Sequence, residues 1–227
     1  MKKVAVLLSG NGVYDGAEIH ESVLTLLALD QNQIAYQCIA PNIAQHHVID
    51  HTTGNEMDES RNVLVEAARI ARGDIKSTNE INISDYTALV MPGGFGAAKN
   101  LSKWAFSGPE GAIEESTKKL ILEAVSAKLP IVAMCMSPVV IAKALKGSSF
   151  EAKLTVGSTK AKSPYEIEAI SQGMQKIGAE AVMKTVNEVL IDENLNIITT
   201  PCYMMEASIS EINQGIQEAI KALKKLI

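Results

Sequence analysis

Cysteine is scarce in this chain. The three present, Cys38, Cys135 and Cys202, are an odd number, widely spaced, with no CxxC pair and no histidine at metal-ligand spacing. A disulfide framework and a zinc-binding module are thereby excluded, and free thiols in a reducing compartment, the cytoplasm, are expected. Long apolar runs are also lacking. No stretch approaches the roughly 20 residues of a membrane-spanning helix, and MKKVAVLLSGNG meets glycine and asparagine too soon for a signal peptide, so the start is read as a first strand. Basic blocks are missing apart from KALKKLI, and the formal net charge is -5. Neither a nucleic-acid footprint nor an anionic-membrane anchor is expected, which leaves small molecules as partners. No internal repeat or low-complexity segment interrupts a composition of 47% hydrophobic and 21% charged residues, and residues 1–227 read as one domain.

What is present is alternation of short apolar runs with longer segments of helical period, the pattern of a parallel sheet covered by helices. Strands are predicted at Val4–Leu8, Ile34–Ala40, Ala88–Met91, Ile131–Met134, Leu154–Val156 and Ile197–Thr200. Those near 4, 88 and 131 are apolar without alternation, as strands buried on both faces are, and should be central. Helices are predicted at Ala17–Leu29, Glu59–Ala71, Glu114–Ala127, Val139–Leu145, Tyr165–Lys176 and Ile209–Leu226. The fifth has Ser163 as N-cap, Pro164 at its first position and Glu166 three residues after the cap. Residues 41–58 hold three of the four histidines without periodicity, and read as an excursion or small hairpin inserted between a strand and a helix.

The chemistry centres on IVAMCMSPVVIAKAL, where Cys135 stands between a strand and a helix. In an open α/β sheet, ligands bind at the carboxyl ends of strands, and a sharp strand-to-helix turn lifts its central side chain into that crevice. The adjoining helix N-terminus favours thiolate over thiol. Cys38, inside an apolar strand, reads as structural, and Cys202, after Pro201 at another strand end, ranks second to Cys135. In VMPGGFGAAKNLSKWA, Gly93 and Gly94 end a strand and are followed by a predicted helix, so their backbone N–H groups can hold an oxyanion. In SGNGVYDGAEIHESV, a third strand-turn-helix unit carries Glu18, His20 and Glu21 in the first helical turns. Either glutamate could serve as a general base, or both could be ordinary N-terminal helix charges. The spacing of Gly10, Gly12 and Gly16 is GxGxxxG, and the second strand ends in IAPN without an acidic residue, so dinucleotide binding is rejected.

The blocks MKKVAVLLSGNGVYDGAEIHESVLTLLAL, HTTGNEMDESRNVLVEAARIARGDI, ALVMPGGFGAAKNLS, MCMSP and NIITTPCYM together resemble the ElbB-type glyoxalases. These are the ES-one-like, isoprenoid-biosynthesis-associated branch of the class I glutamine amidotransferase-like superfamily, which also holds PfpI-type proteases and protein deglycases. The resemblance runs almost end to end. It implies a flavodoxin-like doubly wound sheet, mostly parallel, with helices on both faces, and a homodimer. The family nucleophile falls on Cys135, the superfamily's acid on Glu21, the glycine pair on Gly93 and Gly94, and the next backbone donor on Met136. Met136 stands where PfpI-type proteases have histidine, and LTVGSTKAK lacks the helper histidine of the deglycase branch, so any assisting histidine must be His20 or His51. The activity implied is a glutathione-independent glyoxalase acting through a cysteine hemithioacetal, with no metal or cofactor. A redox-sensing or partner-binding protein, a deglycase and a cysteine amide hydrolase are the alternatives.

Overall fold

The three apolar runs without alternation do lie in the middle of the sheet. A computed structural model describes residues 3–227. Its strands are β1 (Lys3–Leu7), β2 (Tyr36–Ala40), β3 (Ile75–Ser77), β4 (Tyr86–Met91), β5 (Ile131–Met134), β6 (Lys153–Leu154), β7 (Glu180–Ala181), β8 (Leu190–Asp192) and β9 (Ile197–Thr200). The main sheet has the order β3-β2-β1-β4-β5-β9-β8, parallel except for β8, which runs antiparallel to β9. β1, β4 and β5 therefore take the three inner positions, where burial on both faces favours unbroken Val, Ile, Leu and Met. The helices are α1 (Ile19–Gln31), α2 (Val63–Ile70), α3 (Trp104–Ser107), α4 (Glu115–Ser126), α5 (Ser137–Leu145), α6 (Ile167–Lys176) and α7 (Ile209–Lys224). α1 packs on α7 and α4 on α5, so helices cover the sheet in the flavodoxin-like manner.

The differences from the sequence reading have local causes. β3 and β8 are three-residue edge strands, too short to show a period, and were not predicted. The run at 154–156 does not join the main sheet: β6 pairs only with β7, in a separate two-stranded parallel sheet. Side chains hold it beside the main sheet, with the Lys153 N–H donating to Asp192 Oδ2 at 2.8 Å and the Thr155 N–H to Thr199 Oγ1 at 3.1 Å. α2 starts at Val63, where the Asn62 side chain accepts the Val65 N–H, rather than at Glu59. α6 starts at Ile167, not at Tyr165: the Ser163 hydroxyl donates to the Met204 carbonyl at 2.7 Å and accepts the Tyr165 N–H at 2.9 Å, closing a local turn ahead of the helix. The segment after Gly94 forms one π-helical turn, Ala97–Leu101, before the short α3. Within 41–58, the Met57 N–H donates to the Val48 carbonyl and the Asp50 N–H to the Asn55 carbonyl, closing a small hairpin. Asp15 Oδ2 fastens that hairpin to the first glycine-rich turn by accepting the Ile49 N–H at 2.7 Å.

Candidate active site

β1, β4, β5 and β9 end on the same edge of the sheet, and the turns that follow them meet there. The turns after β1 and β4 are stitched together by backbone bonds: the Phe95 N–H to the Val13 carbonyl (2.8 Å), the Gly96 N–H to the Gly16 carbonyl (2.8 Å), and the Glu18 N–H to the Gly93 carbonyl (3.0 Å). The glycine spacing that suggests dinucleotides is thus consumed in letting two backbones touch. Beside them Cys135 sits at the seam of β5 and α5 with φ 57, a left-handed conformation that a non-glycine residue adopts at a cost. Its own N–H donates to the Thr200 carbonyl at 3.0 Å, and the Ser137 hydroxyl, at the first position of α5, donates to the Pro92 carbonyl at 2.6 Å. β4, β5 and β9 are tied at their ends around the sulfur.

Glu21 meets that sulfur from α1. The carboxyl is wholly buried, and its two oxygens accept the Gly93 N–H at 3.0 Å and the Tyr203 N–H at 3.1 Å, while a side-chain hydrogen bond joins it to Cys135. Burial above all, and then the nearby charge of Glu18, push its pKa up to about 8, against the three hydrogen bonds that pull it down. Near neutrality it therefore holds its proton. The Cys135 thiol is pushed up as well, first by burial and then by the charge Glu21 would carry, and is drawn back by the N–H groups of Gly94 and Met136, which point at the sulfur. Burial thus works against the preference for thiolate expected from the helix N-terminus. A buried sulfur needs the two N–H donors and a neutral Glu21 to hold negative charge.

The structure sorts the other predicted residues. Gly93 does not offer its N–H to an oxyanion, because Glu21 takes it. What Gly93 supplies is absence of bulk: a Cβ there would collide with the Cys135 Cβ and stand 2.8 Å from Sγ. Gly94 and Met136 are left as the two donors. Glu18 is the N-cap of α1, accepting the Glu21 N–H at 2.7 Å, and forms part of the cleft wall. His20 is exposed, with Nδ1 2.9 Å from the Tyr203 hydroxyl. His51 lies over the first glycine turn, its Nε2 accepting the Tyr14 N–H at 3.2 Å and its Nδ1 3.0 Å from the Ile49 carbonyl. Both histidines bond to partners other than the thiol. Cys38 is a buried strand residue whose pKa burial pushes up to about 12. Cys202 is fully buried, and is followed at once by a 3₁₀ turn, Cys202–Met204, which the sequence reading did not anticipate.

Above the sulfur lies a narrow cleft of about 10 Å³, lined by Val13, Phe95, Tyr165, Tyr203 and Met204 besides the residues above. Sequence reasoning passed over all five. A signal was available: the chain has only nine aromatic residues, and three of them close this one cleft. Phe95 and Tyr165 meet edge to face, with ring centroids 5.6 Å apart. Among the described residues, no group of three or more His, Cys, Asp or Glu is placed to hold a metal ion.

No protein-family model matches the chain. The rat "ES1 protein homolog, mitochondrial" is 39% identical over 228 residues, covering 99% of this chain and 84% of that protein. The crystal structure of an Ehrlichia chaffeensis isoprenoid biosynthesis protein with an amidotransferase-like domain superposes with a TM-score of 0.88 at 34% identity, covering 99% of this chain and all of that one. Glyoxalase III from Candida albicans shares the fold, with a TM-score of 0.61 at 15% identity over 97% of each chain. With identity of this level carried from end to end, and the same sheet beneath it, the chain belongs to the ES1 family of class I glutamine amidotransferase-like proteins.

Proposed function

We propose that this protein is a glutathione-independent glyoxalase that converts glyoxal, or a similarly small dicarbonyl, to a hydroxy acid such as glycolate. The observation that carries the reading is the surround of Cys135: a buried sulfur facing two backbone N–H groups and a carboxyl that keeps its proton near neutrality. In this mechanism the pair reacts in the form that carries a single proton, on Glu21, with the sulfur as thiolate. The sulfur attacks one carbonyl carbon, and the oxygen, stabilised by the N–H groups of Gly94 and Met136, takes the Glu21 proton to give a hemithioacetal. The Glu21 carboxylate then removes hydrogen from the carbon bonded to sulfur, forming an enediol, and returns it to the neighbouring carbon. The second oxygen gains a proton and the first gives one up as the thioester carbonyl forms. The first carbon is oxidised and the second reduced, so no external oxidant enters. Water hydrolyses the thioester, releasing glycolate and restoring the pair.

The narrow cleft and its aromatic walls favour a free small dicarbonyl over a glycated side chain, and so favour the glyoxalase over the deglycase reading. Amide hydrolysis of the histidine-assisted kind has no imidazole beside the sulfur to protonate the leaving amine, since both candidate histidines are engaged elsewhere. We expect a homodimer in a reducing compartment. Ile19, Val23 and Leu27, exposed one turn apart along α1, offer an apolar stripe for a second copy, and size-exclusion chromatography with light scattering tests that assembly. Among the described residues no helix is long and apolar enough to cross a membrane.

The decisive experiment incubates the purified protein with glyoxal, without glutathione or amine, and follows glycolate by NMR. Glycolate should form, and a protein that forms none is not a glyoxalase. Reversible sulfenic acid formation after mild peroxide, without turnover of glyoxal, would favour the redox-sensing reading instead.

A further inference from the structure

A vicinal dicarbonyl brings two oxygens into the cleft, and the machinery described so far provides for one. The oxygen on the attacked carbon has the N–H groups of Gly94 and Met136. The oxygen on the neighbouring carbon becomes electron-rich when the carbon–hydrogen bond breaks and the enediol forms, and it too needs a hydrogen-bond donor. The polar groups on the cleft wall beyond those already used are few. Glu18 offers a carboxylate that accepts the Glu21 N–H as helix cap. The Tyr203 hydroxyl is paired with His20 Nδ1 at 2.9 Å. Val13, Phe95 and Met204 are apolar apart from their backbone.

Tyr165 is left. Its backbone is fixed, with its N–H donating to the Ser163 hydroxyl at 2.9 Å and its carbonyl accepting the Ile167 N–H at 2.9 Å, and its ring is braced edge-on by Phe95. Its hydroxyl, by contrast, takes part in no protein hydrogen bond among the described residues, although the ring is a wall of the same cleft as Cys135. Burial, and then the neighbouring thiol and carboxyl groups, push its pKa up to about 12, so the group is a donor and not a base near neutrality.

We propose that Tyr165 is a catalytic residue of this site, its hydroxyl donating a hydrogen bond to the second oxygen of a vicinal dicarbonyl and so selecting substrates with oxygens on adjacent carbons. The proposal rests on the glyoxalase reading and goes beyond it by naming the residue that reads the second carbonyl. No bond is made or broken by Tyr165. It keeps its proton, and the electron pair that arrives on the second oxygen during enediol formation is stabilised in place.

The test compares the unaltered protein with Tyr165→Phe in two assays: turnover of glyoxal to glycolate, and alkylation of Cys135 by iodoacetamide, which needs the sulfur but has no second carbonyl to read. Because the change removes one hydroxyl without a protein partner, the thermal midpoint should stay within a few degrees. For glyoxal, kcat should fall about 100-fold, the loss typical of removing one donor from a developing oxyanion, with KM changed far less. Alkylation of Cys135 should proceed at the same rate in both proteins. An unchanged kcat in Tyr165→Phe, while the unaltered protein makes glycolate, would overturn the role of Tyr165 and leave the glyoxalase reading standing. Equal losses of turnover and alkylation would also overturn it, by showing that Tyr165 acts on the sulfur instead. No glycolate from the unaltered protein would remove both proposals together.

Discussion

Cys135 and Cys202 end neighbouring parallel strands, β5 and β9, and both take a left-handed backbone, with φ 57 and φ 47. Both are buried, and a helical turn follows each. They differ in what faces the sulfur. Cys135 has the N–H groups of Gly94 and Met136 drawing its pKa down, and a carboxyl that can give up its charge. Around Cys202 burial and the charges of Glu21, Cys135 and Glu18 all push the same way, toward the protonated thiol. A strained strand end is therefore not by itself a nucleophile. Donors aimed at the sulfur, and a neighbour able to hold a proton, distinguish the surroundings of Cys135 from those of Cys202, while burial raises the pKa of both thiols.

The two sulfurs differ most in what their removal should do. Cys135→Ala should abolish glyoxal turnover, a loss of about 10³-fold or more if the nucleophile is essential. Cys202→Ala should keep activity within a few-fold and lower stability by about 1–2 kcal/mol, the cost of a small cavity at a buried site. Iodoacetamide mapped by mass spectrometry should label Cys135 and spare Cys202. Equal labelling would erase the distinction.

Next in size is Glu21→Gln, which keeps the shape and removes the titrating carboxyl. Glycolate formation should fall about 10²- to 10⁴-fold, as when a positioned acid and base is lost, with the thiol still able to form adducts. The same variant sharpens a pH effect on stability. Glu21 has a folded pKa of about 8 against an ordinary value of 4.5, so the folded state binds the proton more tightly than the unfolded chain. Its stabilising contribution is complete below about pH 4.5 and is lost as pH rises to about 8. Denaturant midpoints should therefore decline between pH 5 and 8.5 in the unaltered protein, and Glu21→Gln should decline less. Parallel curves would mean that Glu21 is not protonated in the folded state.

Gly93→Ala tests the geometry that brings the two groups together. The added carbon would press on Cys135, and the overpacking should cost about 1–3 kcal/mol of stability together with most of the activity. An active, undiminished variant would show that the elbow tolerates displacement. The smallest effects belong to His20→Ala and His51→Ala, each expected to change kcat by no more than a few-fold, because neither ring bonds to Cys135. A loss from either as large as that of Glu21→Gln would make it part of the chemistry.

Legibility in the sequence followed the range of the interactions involved. β1, β4 and β5 were readable because burial on both faces writes an unbroken apolar run into four to six consecutive residues. β3 and β8 were not, since three-residue edge strands carry no period and exist only because a neighbour offers a ladder. The strand-to-helix seam at Cys135 was legible from the sequence alone. Glu21 was not separable from Glu18 by spacing, and the family resemblance chose it. Ser163 misled, because its hydroxyl accepts the Tyr165 N–H in a local turn tied to the Met204 carbonyl, 41 residues away, and a cap pattern alone does not tell such a turn from a helix start. The role of Gly93 was misassigned because its N–H faces a carboxyl from a distant helix, which no local pattern reveals.

By itself the sequence determined the central strands, the helices around them, the free thiols, the strand-to-helix seam that carries Cys135 and the family, all of which depend on composition, short-range period or motif. Only the tertiary structure decided the surroundings of Cys135. Glu21 is joined to Gly93 across 72 residues and to Tyr203 across 182. Burial by the turns after β1, β4 and β9 is what makes its carboxyl hold a proton, and the aromatic cleft likewise draws Phe95, Tyr165 and Tyr203 from three separate segments. Protonation and cleft shape are set by desolvation and by which groups the fold brings together, and neither leaves a local pattern in the chain.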